Sequence, residues 1–260
     1  MSTQLARMVE SRQEPGGRVR LGQRFRRFVF AHKTVIPWLL VRYARMFGKS
    51  GKIPSRDRVR GKRRVALILE GLVTTANDDG TVNLAPMGPS VDSEITRLVL
   101  RPWQTSRTYR NLKVRGEGVF HVVDDVWLLA QAAVGPVEPP PPMLPATEIQ
   151  GHVLQQACRW YEFRVVALDD RHERTRIETE VVATGRLRDF FGFNRAKHAV
   201  VEAAILATRV HLLPPDEIQE QVRRLGPLVE KTGGGQEHRA FALLVDYINR
   251  QPRQVRDGSA

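Results

Sequence analysis

The sequence predicts an α+β fold with a mostly antiparallel sheet or barrel, followed by a helical C-terminal third. The candidate strands lie between residues 65 and 187, and the longest candidate helices follow them instead of alternating with them as in a doubly wound fold. Residues 174–187 alternate between small or apolar side chains and mostly charged ones, which is the period of a half-buried strand. We therefore expect a sheet with one solvent-facing side.

The first 64 residues of the 260-residue chain form a basic arm. They contain 18 lysines and arginines against three acidic residues, a net charge of +15, whereas the remaining 196 residues carry −2. The arm mixes aromatic and basic side chains between residues 25 and 47, which suits contact with RNA or with an anionic membrane surface. The alternative is an arm that packs its aromatics on the body or has no role.

The arm is not expected to cross a membrane. Its apolar run at residues 34–41 is interrupted by Pro37 and is much shorter than the roughly 20 residues that a helical span needs. It has no clear export signal, so we expect a cytoplasmic protein. Residues 48–55 resemble a linker to the body.

The body begins with a predicted strand pair. Residues 65–75 are β-prone, the Asn-Asp-Asp-Gly sequence at 77–80 is typical of a hairpin turn, and residues 81–86 return as the second strand. A third strand is predicted at residues 95–100, and a short helix is predicted at residues 105–113.

The second half of the body contains further strands and then helices. A strand at residues 118–123 leads into a short apolar helix at 126–134, and the prolines at 139–142 form a stiff connector. A strand at residues 158–168 precedes the strand of residues 174–187. Three helices are then predicted, over residues 195–210, 215–231 and 236–249, with Asn194 as an N-cap of the first.

Several classes of site are excluded by composition. Cys158 is the only cysteine, so the chain is not a disulfide scaffold, and we expect this residue in the core. The seven histidines lack the spacing of a structural zinc site. The segment 121–125 ends in two aspartates, which suits a hard metal ion or the N-cap of the following helix. We predict no metal site, and phosphate-loop, kinase and GxSxG signatures are absent from the sequence.

Residues 105–111 carry the ingredients of a phosphate site. Hydroxyl side chains, Arg107 and the free N–H groups of a helix start occur together there, and such groups bind a phosphate dianion. The alternative for this segment is an ordinary helix N-cap.

Separated motifs occur in order along the body. A first set is Leu72-Val-Thr-Thr75, Asn83-Leu-Ala-Pro86, Thr105-Ser-Arg-Thr108 with Asn111-Leu112, and Gly116-Glu-Gly-Val-Phe120. This order resembles the FMN-binding split-barrel family, which includes flavin reductases. A second set is Ile68-Leu-Glu-Gly-Leu-Val-Thr-Thr75, Ala85-Pro-Met-Gly88, Leu100-Arg-Pro102, residues 105–111, and Phe193-Asn-Arg-Ala-Lys197 with Val201-Glu-Ala-Ala204. More narrowly, these five motifs are similar to the family's uncharacterised branch, known as domain of unknown function number 447, over about residues 65–213. The arm lies outside the resemblance.

This resemblance implies a six-stranded split barrel, usually dimeric, that holds FMN near the subunit interface. The chain would then comprise the arm at residues 1–64, partly helical or disordered, a split-barrel domain at 65–213, and a helical extension at 214–260 packed on the barrel.

The resemblance also implies a set of cofactor-binding residues. The phosphate would be held by Thr105, Ser106, Arg107 and Thr108. The isoalloxazine would be lined by Thr74, Thr75 and a bend that contains Asn83, Ala85, Pro86, Met87 and Gly88. Asn111 matches the family's helix and contacts the cofactor or braces that helix. The cofactor or an anionic substrate would be reached by Asn194, Arg195 and Lys197, whose alternative reading is a capped helix with a solvated basic turn.

One residue departs from the pattern of flavin reductases. These proteins more often have Asn at the position of His121, so we expect this histidine to alter the substrate side of the pocket and to leave FMN binding intact.

The function that the resemblance implies is that of an FMN flavoprotein, a homodimer that passes electrons or hydride through the flavin to a small-molecule partner. In such sites the cofactor performs the redox chemistry. The branch is associated with genes of methanopterin-linked one-carbon metabolism, which suggests a pterin or a methanopterin precursor as substrate. The alternatives are a non-catalytic scaffold dimer whose arm docks RNA or an anionic membrane, and a flavin-storage or pterin-synthesis accessory protein without turnover.

Overall fold

The computed structural model describes residues 67–251, so the arm predicted at residues 1–64 lies outside the described residues. The strands are β1 Leu67–Ile68, β2 Gly71–Ala76, β3 Val82–Met87, β4 Ser90–Val91, β5 Arg97–Leu100, β6 Glu117–Val122, β7 Met143–Pro145, β8 His152–Leu154, β9 Arg159–Asp169 and β10 Arg176–Arg186. The helices are α1 Arg107–Arg115, α2 Val126–Val134, α3 Arg195–Ala207, α4 Pro215–Thr232 and α5 Gly235–Arg250.

Eight strands form one curled antiparallel sheet in the order β1-β4-β5-β10-β9-β6-β2-β3, and β7 and β8 form a separate pair. This confirms the predicted α+β class and antiparallel sheet. The strand count differs from the expected six because β1 and β4 are added, each of two residues. Such short pairs have no periodic signal in the sequence. The strand predicted at residues 65–75 is divided by a link in which the Leu69 N–H donates to the Pro89 carbonyl at 3.1 Å.

The longest strand pair, β9 and β10, gives the sheet its curvature. Each strand has 11 residues, and their register shifts at two irregularities. Bulges of this kind bend a strand and increase its twist. Ile177 and Thr179 are buried while Arg176 and Glu180 are exposed, which confirms the predicted solvent-facing side.

The sheet buries one core on each face. The barrel interior is lined by side chains from β2, β5, β6, β9 and β10 and by Met87 of the edge strand β3, and it also receives Tyr109 and Leu112 of α1. Its strand residues include Val73, Leu98, Phe120, Tyr161, Phe163 and Ile177. On the opposite face, Leu72 packs with α2, α3, α4 and α5. Strand β2, next to the edge strand β3, is therefore buried on both faces, and its successive side chains enter different environments.

Cys158 is 1% exposed and belongs to the core, as expected from its apolar strand. Within residues 67–251, no helix has the length and hydropathy that a bilayer span requires.

Candidate functional site

The candidate site is built around the first turn of α1. Ser106 is the N-cap: its hydroxyl accepts the Tyr109 N–H at 3.2 Å and donates to the Trp103 carbonyl at 2.7 Å. The N–H groups of Arg107 and Thr108 belong to the first turn of the helix and therefore have no acceptor within it. The predicted helix is present but begins at Arg107, two residues later than expected, and its start presents backbone donors beside a hydroxyl-rich segment.

A polar network connects this turn to the hairpin of β2 and β3. The Asn83 amide donates to the hydroxyls of Thr75 and Thr108, both at 3.1 Å. The Asn111 amide donates to Thr75 at 3.0 Å and to the Asn77 side-chain oxygen at 2.8 Å. Thr75 and Thr108 are each 2% exposed. Four predicted site residues thus meet in one buried cluster, which we call the amide–hydroxyl network.

Strand register decides which residues of the predicted bend face this network. Thr75 lies opposite Asn83, and Val73 lies opposite Ala85. Because directly paired residues share a face of the sheet, Asn83 and Ala85 face the interior, where Met87 also packs. All residues of β3 are half-buried because it is an edge strand of the sheet.

Two residues expected to line the isoalloxazine lie on the opposite face. The Thr74 hydroxyl donates to the His152 carbonyl of β8 at 2.6 Å. Pro86 pairs with Leu72, which faces the helices. The side chains of Thr74 and Thr75 therefore lie on different faces, because neighbouring residues of a strand alternate between faces, and contact of Thr74 with the isoalloxazine stays a prediction.

The two remaining residues of the phosphate motif lie at the surface. Thr105 and Arg107 are exposed, and the Thr105 carbonyl accepts a bond from Arg110 at 3.2 Å. Thr81 holds the pKa of Asp79 below its usual range through hydrogen bonds, and the positive charge of Arg107 contributes to the same shift. The Arg107 guanidinium therefore lies toward the hairpin turn of β2 and β3.

The residues predicted at the start of α3 form a second cluster. Asn194 caps the helix by accepting the Lys197 N–H at 3.0 Å. The Lys197 ammonium lies 2.8 Å from both the Glu237 carboxylate and the Asp124 carbonyl, and its side chain is only 16% exposed. Arg195 is exposed. These contacts support the capped-helix reading, but Lys197 is held in an internal ion pair and is not part of a solvated turn.

Asp124 anchors the segment before α3. Its carboxylate accepts bonds from the Arg188 guanidinium, one at 2.9 Å, and from the Phe191 N–H at 2.9 Å. The Arg188 hydrogen bond lowers the pKa of Asp124 to about 2. Asp125 is the N-cap of α2, with the Leu128 N–H at 3.0 Å. The cap reading therefore holds for Asp125 and not for Asp124, and no metal-binding group of three ligands occurs in residues 67–251.

We expect Asp124→Asn to lower the free energy of unfolding by about 2 kcal/mol at pH 7. The folded pKa of about 2 lies below the ordinary value of 3.8, so the carboxylate stabilises the fold above pH 4 and this stabilisation is lost as the pH falls toward 2. Urea unfolding at pH 7 measures the effect. The control is Asp189→Asn, whose exposed pair with Arg186 contributes at most about 1 kcal/mol. Equal losses in the two variants would contradict this role.

His121 is buried on the face opposite the network. It is 0% exposed, its Nδ1 donates to the Leu72 carbonyl at 3.2 Å, and its Nε2 accepts the Leu154 N–H at 3.1 Å. Burial lowers its pKa to about 4, so the ring is neutral. The expectation that His121 shapes the substrate side of the pocket is wrong, because both ring nitrogens are used in joining β6 to β2 and β8.

Family models match two consecutive stretches of this chain. A family model described as "Protein of unknown function (DUF447) N-terminal domain" matches residues 69–188, and one described as "Protein of unknown function (DUF447)" matches residues 194–246. The chain belongs to the DUF447 family. This confirms the resemblance seen in the sequence, and the family match continues into the C-terminal helices. No curated protein matches the sequence.

Solved structures include a DUF447 relative with the same fold. The FMN-bound protein MM1853 from Methanosarcina mazei is 24% identical, with a TM-score of 0.61 over 69% of this chain and 94% of that chain. The styrene monooxygenase flavin reductase of Pseudomonas putida S12 is 16% identical, with a TM-score of 0.38 over 46% of this chain and 80% of that one. The 2-nitrobenzoate 2-nitroreductase NbaA of Pseudomonas fluorescens is 20% identical, with a TM-score of 0.40 over 49% and 66%.

Two carboxylates of the DUF447 motifs were not recognised as site candidates from the sequence. A Cβ atom added to Gly88 would lie 2.7 Å from Glu70, so this carboxylate rests directly on the predicted bend. Desolvation and the nearby charge of Glu202 on α3 raise the pKa of Glu70. Desolvation also raises the pKa of Glu202. Their position within two of the motifs was the available signal.

Proposed function

We propose that this protein binds FMN and acts as a flavin-dependent oxidoreductase. The observation that carries the proposal is the convergence of the first turn of α1 with the amide–hydroxyl network, beside the half-buried inner side of β3. MM1853, a DUF447 relative that shares the fold, is described as FMN-bound. FMN has two parts that the site has to bind, a phosphate and a flavin ring.

The first turn of α1 suits the phosphate. Arg107 supplies a positive charge at the surface, and the N–H groups of Arg107 and Thr108 are at the positive end of the helix dipole. The Thr108 hydroxyl is in the same turn. A phosphate dianion only accepts hydrogen bonds, so this donor-rich turn matches it chemically.

The inner side of β3 suits the flavin ring. Ala85 and Met87 give it a small, apolar, half-exposed surface next to the network. Because β3 lies at the sheet edge, part of its backbone has no strand partner within the described residues, and outward N–H groups there are available to a planar ligand with carbonyl and ring-nitrogen acceptors.

FMN, when bound, supplies the capacity to accept and donate electrons or hydride. The chain's residues then have to bind, orient and shield it, and none of them has to be a nucleophile. This agrees with the absence of a hydrolase or kinase signature in the sequence. A pterin or methanopterin precursor remains the proposed substrate on the family association alone.

The first test is the visible absorption spectrum of the freshly purified full chain, with mass analysis of any ligand that heat releases. We expect flavin bands and FMN, after which NAD(P)H and pterins are tested as redox partners. A colourless protein that takes up no added FMN would contradict the proposal.

Arg107→Ala is expected to weaken FMN binding by about 1–3 kcal/mol, because it removes a charge-assisted hydrogen bond to the phosphate. Titration calorimetry or flavin fluorescence quenching measures the change. The control is Arg97→Ala, which removes an equal and exposed charge from β5, a strand separated from β2 by three others in the sheet. FMN affinities that fall equally in both variants would assign the effect to net charge and not to a phosphate contact.

The predicted homodimer is untested by these observations and stays a prediction. The same holds for contact between residues 1–64 and RNA or an anionic membrane, because these residues lie outside the described part of the chain.

A further inference from the structure

We propose that Asn83 and Asn111 are positioning residues that orient the hydroxyls of Thr75 and Thr108 as donors toward a phosphate monoester, and so make the site selective for FMN over riboflavin. The inference rests on the proposed flavin function and deepens it. It depends on how the hydrogens of the amide–hydroxyl network are used.

The two amides use all of their hydrogens inside the network. Each Asn side chain has two N–H donors. Those of Asn83 go to Thr75 and Thr108, and those of Asn111 go to Thr75 and the Asn77 oxygen, at distances from 2.8 to 3.1 Å. Neither amide therefore has an N–H left to offer a ligand.

The two hydroxyls, in contrast, have hydrogens left over. A hydroxyl oxygen accepts up to two hydrogen bonds and donates one. Thr75 accepts from both amides, so its oxygen is saturated as an acceptor. Thr108 accepts from Asn83. Neither hydroxyl proton has an acceptor among residues 67–251, although both side chains are 98% buried.

Buried donors without acceptors cost free energy unless a ligand supplies the acceptor. Thr108 is the second residue of α1, so its proton lies in the turn that also carries unpaired backbone N–H groups and Arg107. An acceptor-only group with negative charge satisfies all of these donors together. A phosphate monoester is such a group, whereas the terminal ribityl hydroxyl of riboflavin is uncharged and also needs to donate.

The network also explains why an amide, and not a carboxylate, stands at position 83. Aspartate has nearly the same shape but only accepts hydrogen bonds. Asn83→Asp would attract the protons of Thr75 and Thr108 toward itself and place a negative charge beside the phosphate. Asn77→Asp is the control, because it adds the same charge beside the network and keeps the oxygen that accepts from Asn111, while the only bond within residues 67–251 that it removes is the exposed one to the Thr81 hydroxyl.

The test compares dissociation constants for FMN and riboflavin in the full-length wild type and three variants. Wild type should prefer FMN. Asn83→Asp should weaken FMN binding by about 10- to 100-fold and riboflavin binding by less than about threefold, as expected for lost charge-assisted hydrogen bonds. Asn77→Asp should weaken FMN binding by less than about fivefold, the effect of screened charge alone. Thr108→Val should cost about tenfold for FMN only.

The outcomes separate this inference from the flavin function. Equal losses for FMN and riboflavin in Asn83→Asp, an equal FMN loss in Asn77→Asp, or a wild type without preference for FMN would overturn the positioning role and leave flavin binding in place. If Asn83→Asp does not fold, the same comparison is made with Thr108→Val: an equal loss of affinity for FMN and riboflavin in that variant would overturn the inference. A wild type that binds neither flavin would remove the proposed function and this inference with it.

Discussion

Gly71→Ala is expected to lower the free energy of unfolding by about 4 kcal/mol or more, enough to prevent folding of a marginally stable domain. A Cβ at this position would lie 2.3 Å from the His121 carbonyl oxygen and 2.8 Å from the Phe120 ring. The oxygen belongs to the paired backbone of β6, and Phe120 is 0% exposed in the barrel interior. Neither group can move without disturbing the sheet, and overpacked cores are destabilised.

The control for this substitution is Gly226→Ala. Gly226 is inside α4, and nothing lies within 4 Å of its added Cβ. Alanine is a better helix former than glycine, but a Cβ on the residue before Pro227 disfavours the helical conformation, so we expect this variant to change the free energy of unfolding by less than about 1 kcal/mol in either direction. Thermal and urea unfolding measure both changes. A Gly71→Ala protein as stable as Gly226→Ala would show that β2 and β6 do not approach as closely as described.

Protonation of His121 is expected to remove about 3 kcal/mol of stability as the pH falls from 6.5 to 4. The pKa of the folded state is lowered from 6.5 to about 4 by burial. Because the unfolded chain takes up this proton at higher pH than the native chain, the stabilisation is complete above pH 6.5 and is lost as the pH falls through about 4. The pH range of this loss lies above that of Asp124, whose stabilising contribution is lost only below pH 4.

The measurement is the free energy of urea unfolding at several pH values between 7 and 4. His121→Asn, which does not titrate, should flatten the profile in this range even if its stability at pH 7 is lower. His172→Asn is the control, since this exposed histidine has water around it in both states. An unchanged slope in His121→Asn would contradict the buried neutral ring.

Helix ends and strand periods were predictable where the signals are local. The helix predicted at residues 126–134 is α2 with the same bounds, because Asp125 caps its start and Gly135 follows its end. The alternation in residues 174–187 correctly predicted β10. The helix at the phosphate motif was predicted two residues too early, because three of the residues 105–108 carry a hydroxyl and only the structure shows that Ser106 is the one that caps it.

The composition of the candidate site was predictable only in part. The motifs brought Thr75, Asn83, Thr108 and Asn111 into one set, and the structure joins these four side chains by hydrogen bonds. Thr74 was in the same set but faces β8. Neighbouring residues of a strand point to opposite faces, and which face becomes the interior depends on how strands far apart in sequence pair.

By itself, the sequence determined the fold class, the family, the helix caps and the residues of the proposed phosphate site, because these depend on short-range patterns. The tertiary structure decided register, face and partners. It paired Lys197 with Glu237, 40 residues later, and Asp124 with Arg188, 64 residues later, so Lys197 lies in an internal ion pair that no nearby residue announces. Contacts between distant segments are determined by packing and desolvation of the whole chain, and no local pattern encodes them.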